Sequence, residues 1–279
     1  MPKSCLSNDM RSPLKWAGGK KRILQQIDKI LPSAGKKRLV EPFVGGGSVF
    51  LNFDFDEYLL CDSNQDLIAF YNVVKADCDL FIKEARKLFT DKNNQAERYY
   101  LLRDKFNRCK TPLKRAALFL YLNRHGYNGL CRYNQKGGYN VPFGRFKKPY
   151  FPEAELLFLG ERAQRATFIV GDFNRAFEQT TKMDVVYCDP PYSPINRTAN
   201  FTTYSGISFL DDDQNRLVSA AQEAQSRGVA TLISNHFVPF TKALYASADK
   251  TLTFSVQRSI SQNGSNRQRV KEVLALYRA

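Results

Sequence analysis

Apolar positions along the chain follow two alternating periods. Arg38–Glu41, Tyr58–Asp62, Thr167–Val170, Val185–Cys188, Val229–Ser234, Thr251–Val256 and Val270–Tyr277 are short apolar runs bounded by turn residues, which predicts seven strands. Between the second and third of these, from Gln65 to about Arg124, the spacing becomes helical: Leu67, Ile68, Tyr71 and Val74 recur at three and four, as do Leu80, Phe81, Ala85 and Leu88. Thr111-Pro112 has the form of an N-cap and first helical residue for Leu113–Leu122. Further helices are predicted near 152–166, 211–227 and 239–248. Over His125–Lys148 the period fails, where Gly126, Gly129, Gly137, Gly138, Gly144 and Pro142 interrupt it, and Gly137-Gly138 predicts a hairpin turn. The last two strands are joined by a loop alone, so they should pair antiparallel at one edge. The expected fold is α/β: a mostly parallel sheet with an antiparallel edge, interrupted between its second and third strands by a helical segment carrying a β-hairpin.

Composition narrows the class. A chain of 279 residues with 43% hydrophobic and 13% aromatic residues is globular, and no apolar run reaches the roughly 20 residues of a bilayer span. Residues 1–15 lack the apolar stretch of a secretory signal, so a soluble cytoplasmic protein is expected. The six cysteines, Cys5, Cys61, Cys78, Cys109, Cys131 and Cys188, are scattered without paired spacing and read as reduced thiols.

The net charge of +15 is unevenly placed. Residues 1–40 carry 10 basic and 2 acidic residues, 41–64 none and 5, 65–152 18 and 7, and 153–279 14 and 13. Within 98–148 there are 13 basic residues and one acid, Asp104, interleaved with Tyr, Phe and no polar tract. Cations for phosphates and rings for bases make this a nucleic-acid-binding segment.

Three glycines follow the first strand in Phe43-x-Gly45-x-Gly47, with Ser48-Val49-Phe50-Leu51 predicted as a helix start. The spacing is neither a dinucleotide fingerprint nor a P-loop, and the missing fingerprint argues against a nicotinamide oxidoreductase. A glycine turn also suits an adenosine ligand, with Asp62 at the end of the next strand able to accept from ribose hydroxyls. A plain tight turn with a surface Asp fits equally well. Asp189-Pro190-Pro191-Tyr192 is more telling. Its prolines fix an extended backbone without donors, the Asp adds an acceptor, and the Tyr a flat ring. Such a site can hold an amino group by both hydrogens while stacking on its heterocycle.

These motifs, in this order, resemble those of amino-group DNA methyltransferases that use S-adenosylmethionine. The Dam-type DNA adenine methyltransferases are similar through Leu14-Lys15-Trp16-Ala17-Gly18-Gly19-Lys20, Glu41–Phe50, Leu120–Tyr133, Asn140–Glu155, Ser234-Asn235-His236 and Arg258-Ser259-Ile260. The resemblance implies a Rossmann-like catalytic domain of residues 1–64 and 153–279, and a DNA target-recognition insertion of 65–152. It implies cofactor contacts at Trp16, Lys20, Phe43, Gly45, Gly47, Asp62, Asp172 and Asp189, with Asp189, Pro190, Pro191 and Tyr192 embracing a flipped adenine. Tyr127 and Asn128 would fill the gap left by the base, Lys15, Leu130, Arg132 and Pro142 would touch bases, and Arg124, Asn134, Asn140 and Arg145 the backbone. The implied target is adenine N6 in duplex GATC. Expected further are no metal, a monomer, since one methyl per event needs no dimer, and a nucleoid-associated location. Cytosine N4 or RNA adenine as target, and a DNA-binding relative without activity, stay open. The departures are a longer arm before Leu14 and His125 where another aromatic is expected.

Overall fold

The structure is a computed structural model and describes residues 5–194, 209–257 and 269–279. The strands are β1 (Arg38–Glu41), β2 (Glu57–Asp62), β3 (Ala166–Val170), β4 (Asp184–Cys188), β5 (Ala230–His236), β6 (Lys250–Gln257) and β7 (Arg269–Tyr277), in the order β3-β2-β1-β4-β5-β7-β6. The first five are parallel. β7 runs antiparallel between β5 and β6, so the edge expected from the short final connection is present. The reversal of strand order lies between β1 and β4, the place where an open α/β sheet splays its loops apart and leaves a ligand crevice.

Alternation along the strands divides the core into two layers. Leu39, Tyr58, Leu60, Val185, Tyr187 and Leu232 face one side; Val40, Leu59, Cys61, Val186, Cys188 and Ile233 face the other. The second layer is covered by α7 (Asn174–Phe177), α8 (Asp211–Ser226) and α9 (Pro239–Leu244). The first is covered by α2 (Gln65–Ala76) and α6 (Glu153–Ala163), and its apolar core runs on without a break into α3 (Cys78–Arg86), α4 (Ala96–Arg108) and α5 (Pro112–His125). The helical segment is thus cemented to the sheet. A short α1 (Leu24–Asp28) precedes β1. No helix among the described residues is long and apolar enough to cross a membrane.

Two local expectations are corrected, and a third is met without its side-chain bond. Ser48–Leu51 forms successive turns and no regular helix, because the Asn52 side-chain amide donates to the Ser48 carbonyl at 2.8 Å while its backbone N–H turns to Val49. Thr111 is the N-cap and Pro112 the first residue of its helix, as expected, although the Thr111 side chain makes no capping hydrogen bond. The Gly137-Gly138 hairpin exists only as isolated bridges, Gly126 with Phe143 and Tyr133 with Tyr139, around a turn whose N–H groups at Lys136 and Gly138 donate to Asn134 Oδ1. Arg258-Ser259-Ile260 lies outside the described residues.

Candidate functional site

The C-terminal ends of β1, β2 and β4 open onto one crevice. After β1 the chain turns through Gly45 at φ 47° and Gly47 at φ 71°, left-handed values that favour glycine. Trp16, from the N-terminal arm, lies against this turn so closely that a Cβ on Gly45 would meet Trp16 Nε1 at 2.7 Å, and one on Gly46 would meet Trp16 Cβ at 2.8 Å. The loop is fixed from two sides. Gly45 N–H donates to Asp62 Oδ2 at 3.0 Å, and the Tyr71 hydroxyl of α2 donates to the Gly45 carbonyl at 2.7 Å. Asp62 Oδ1 accepts from Asn64 N–H at 2.9 Å. Burial pushes the Asp62 carboxyl upward, and these two backbone bonds pull it back.

Phe43 continues the wall, its ring 5.5 Å from Phe173 and 5.6 Å from Phe209. Asp172, exposed after β3, accepts from Arg216 at 3.1 Å and from Asn174 N–H at 3.1 Å. Glu41, at the end of β1, is 2% exposed, and its Oε1 has no partner among the described residues. Burial first, and then the Asp189 charge, hold its carboxyl well above the usual range.

At the end of β4, Asp189 Oδ1 is held 2.7 Å from Lys20 Nζ and 3.1 Å from the Ser234 hydroxyl. Burial raises the Asp189 carboxyl and the Lys20 ammonium lowers it, with the net shift upward. Asp189 Oδ2 and the Pro190 carbonyl receive no donor among the described residues, so two acceptors adjacent in sequence are unengaged, on a half-buried and a buried residue. The Lys20 ammonium lies 4.5 Å over the Tyr192 ring, and the His236 ring meets Tyr192 edge-on at 4.8 Å. Cys188 is fully buried, a core residue and no nucleophile.

The recognition candidates are spread along 124–145 with Lys15 beside them. Lys15 is half-buried, its Nζ 3.5 Å over the Phe146 ring and 3.3 Å from the Arg124 carbonyl. Burial and the Arg124 charge bring its pKa down to about 8. Tyr127, Asn128, Arg132, Asn134, Pro142 and Arg145 are exposed; Leu130 and Asn140 are half-buried. Asn128 and Arg145 both have φ 52° and mark sharp turns. Arg132 Nε donates to Asn140 Oδ1 at 2.8 Å. Arg124 is only 8% exposed and donates to the Tyr150 carbonyl at 3.0 Å, so it braces the segment rather than projecting from it. His125 takes the place of an aromatic: its ring packs 4.0 Å from Tyr121 and 4.9 Å from Phe89.

Sequence reasoning singled out Asp189 to Tyr192 and the glycine turn but gave no role to Glu41, Tyr71, Gln214 or Ser234. Two signals were available. Gln214 sits three and four residues before the buried Leu217 and Val218, a polar residue on a core-facing stripe, and Ser234-Asn235 end a strand that is otherwise buried and mostly apolar.

The sequence model of the D12 class N6 adenine-specific DNA methyltransferases matches residues 16–260. A DNA adenine methylase of Vibrio cholerae serotype O1 is 50% identical over 96% of this chain and 96% of its own. Those of Salmonella typhi and Escherichia coli K12 are 52% and 51% identical, each over 96% of this chain and 95% of theirs. Among solved structures, an rRNA methyltransferase from Streptomyces viridochromogenes covers 99% of this chain and 93% of its own at 14% identity and TM-score 0.36, too low to bear on function. The family acts on DNA and on adenine N6, which removes support from the cytosine and RNA alternatives. The crevice at the end of β1 and β4, with the full-length matches, establishes that this chain belongs to the D12 class of N6 adenine-specific DNA methyltransferases.

Proposed function

We propose that this adenine-specific DNA methyltransferase takes its methyl group from S-adenosylmethionine and acts on duplex DNA at GATC, on an adenine turned out of the helix, by direct in-line transfer. The observation that carries the reading is the pair of open acceptors, Asp189 Oδ2 and the Pro190 carbonyl, next to the Tyr192 ring.

The crevice suits this cofactor. It carries Glu41, Asp62, Asp172 and Asp189, and residues 41–64 hold five acids and no base, which favours a ligand with sulfonium and ammonium charges over a phosphate-bearing one. The glycine turn under Trp16, Phe43, Lys20, Asp62 and Asp172 would hold it, with Asp62 on the ribose side, and Glu41 Oε1 supplies an acceptor in need of a donor. S-adenosylmethionine brings the methyl group on a good leaving group. The rest belongs to the protein.

The adenine amino nitrogen is a weak nucleophile because its lone pair is delocalised into the ring. Accepting one hydrogen at Asp189 Oδ2 and one at the Pro190 carbonyl draws the nitrogen toward tetrahedral geometry and frees that lone pair. No covalent enzyme intermediate is needed. Inside the duplex the amino group is out of reach, so the base must leave the stack at a cost of a few kcal/mol. Stacking on Tyr192 returns about 1–3 kcal/mol. Asp189 accepts most strongly when ionised, and its pKa is raised. Activity therefore falls, as pH drops, at a higher pH than an ordinary carboxylate would give.

Residues 65–152 serve as the target-recognition segment. Exposed Tyr127 and Asn128 fill the vacated stack, Lys15, Leu130, Arg132 and Pro142 contact bases, and Asn134, Asn140 and Arg145 contact the backbone. GATC rests on the family resemblance of this segment. Plasmid DNA exposed to the protein and S-adenosylmethionine should become resistant to a nuclease that cuts only unmethylated GATC. Unchanged cutting with methyladenine appearing elsewhere would overturn the assignment.

A further inference from the structure

We propose that Gln214 is a positioning residue for methyl transfer: from α8 it anchors the Pro191 carbonyl and so selects the Pro190 carbonyl as the acceptor of the second amino hydrogen. The inference rests on the in-line reading above and assigns a cause to it. The Asp-Pro-Pro-Tyr loop offers two consecutive proline carbonyls, and neither proline carries an N–H to organise them. Nothing in the tetrapeptide itself determines which carbonyl faces substrate.

The structure makes that choice through a buried amide relay. Gln214, 2% exposed, donates from Nε2 to the Pro191 carbonyl at 2.9 Å. Its Oε1 accepts from Asn235 Nδ2 at 3.0 Å. Asn235, fully buried, also donates to the Tyr245 hydroxyl at 3.0 Å, and its Oδ1 accepts from Ser193 N–H at 3.0 Å and His236 N–H at 2.9 Å. The orientation of both amides is forced. A backbone carbonyl can only accept and a backbone N–H only donate, so neither amide can be flipped without breaking a backbone bond. His236 Nδ1 lies 2.8 Å from the Ser193 carbonyl and closes the far end of the loop.

Of the two proline carbonyls, that of Pro191 is therefore engaged and that of Pro190 is not. Pro191 is taken by Gln214 and Ser193 by His236, Asp189 Oδ1 is taken by Lys20 and Ser234, and Pro190 remains free among the described residues. Fixing acceptors before substrate arrives is how a preorganised polar site lowers a barrier, and it acts on the chemical step more than on binding.

A glutamate at position 214 distinguishes positioning from simple packing. It matches glutamine in volume. Protonated, it can still donate to the Pro191 carbonyl and accept from Asn235; ionised, it presents lone pairs to that carbonyl and repels it. Burial favours the protonated form and raises its pKa, with Tyr245, His236, Asp189, Lys20, Asp211 and Asp213 the titratable groups on the surrounding elements. Titration of Gln214→Glu then switches the loop.

The test measures kcat, KM for S-adenosylmethionine and for GATC DNA, and melting temperature for wild type, Gln214→Glu and Gln214→Leu. For Gln214→Glu, kcat relative to wild type should fall about tenfold or more from about pH 6 to about pH 9, with both KM values held within a factor of about two and the protein folded throughout. For Gln214→Leu, kcat should be reduced by a similar factor at every pH. A pH-independent ratio for Gln214→Glu, or losses confined to KM or to melting temperature, would overturn the proposal. Failure of wild type to methylate at all would instead sink the functional reading beneath it.

Discussion

The loop at Asp189 and the segment proposed to read DNA are both polar parts of a basic protein, yet they are built in opposite ways. Around Asp189 the polar groups are held by buried partners: Lys20 and Asn235 are nearly or fully inaccessible, Ser234 is inaccessible, and what is left unengaged is a pair of acceptors. Across 127–145 most of the side chains expected to meet DNA are exposed, and the bonded ones hold one another or their own turn, Arg132 to Asn140 and Asn134 to the N–H groups of Lys136 and Gly138. Chemistry needs geometry fixed before substrate binds, whereas a reader of sequence needs groups that can exchange internal partners for bases and phosphates at little net cost. The buried shell under the recognition segment supplies the rigidity instead: Arg124, His125, Tyr121 and Tyr99 are all inaccessible or nearly so.

The contrast can be broken hardest at Asp189. Asp189→Ala removes the one ionised acceptor and should lower kcat by about three orders of magnitude or more, about 4 kcal/mol of barrier, with DNA affinity retained. Single-turnover methylation alongside a DNA-binding titration checks both halves; equal losses in rate and affinity would mean the loop also serves recognition.

Arg132→Ala addresses the other region. Breaking a bidentate reader should cost about 1–3 kcal/mol of discrimination between GATC and one-base variants, read as the ratio of kcat/KM values, while kcat on GATC at saturation changes less.

His125→Phe tests the shell beneath. Burial brings the His125 pKa down to about 4, below the usual 6.5 of the unfolded chain. Its stability contribution is therefore complete above about pH 6.5 and is lost as pH falls toward 4. Between pH 7 and pH 5 that loss is about 2 kcal/mol, and Phe at this position should abolish it in urea unfolding at the two pH values.

The smallest effect is expected at Arg145, exposed and with no role in the shell. Arg145→Ala should reduce the slope of log affinity against log salt by about one unit and leave the sequence preference alone. A change of sequence preference here would mean that the exposed turn reads bases.

Much of this molecule is legible in its sequence because the signals are local. Short apolar runs such as Leu39-Val40 and Leu59-Leu60-Cys61 already mark buried strands, and the short link before Val270 already implies an antiparallel edge. Asp189-Pro190-Pro191-Tyr192 stands out as four adjacent residues, and clustering of charge within 98–148 marks the segment proposed to face DNA. Turn details were less legible, since Asn52 competing for the Ser48 carbonyl replaces a predicted helix start with turns.

What only the tertiary structure decided depends on partners far apart in the chain. Gly45 and Gly46 of the β1 turn are required because Trp16 lies on them from the N-terminal arm, and Tyr71 holds the Gly45 carbonyl across 26 residues. That Gln214, 23 residues on from Pro191 and itself held by Asn235, engages the Pro191 carbonyl is a contact that the motif alone does not contain. Local propensity and pattern set elements and faces, whereas the satisfaction of buried donors and acceptors is a property of the packed whole.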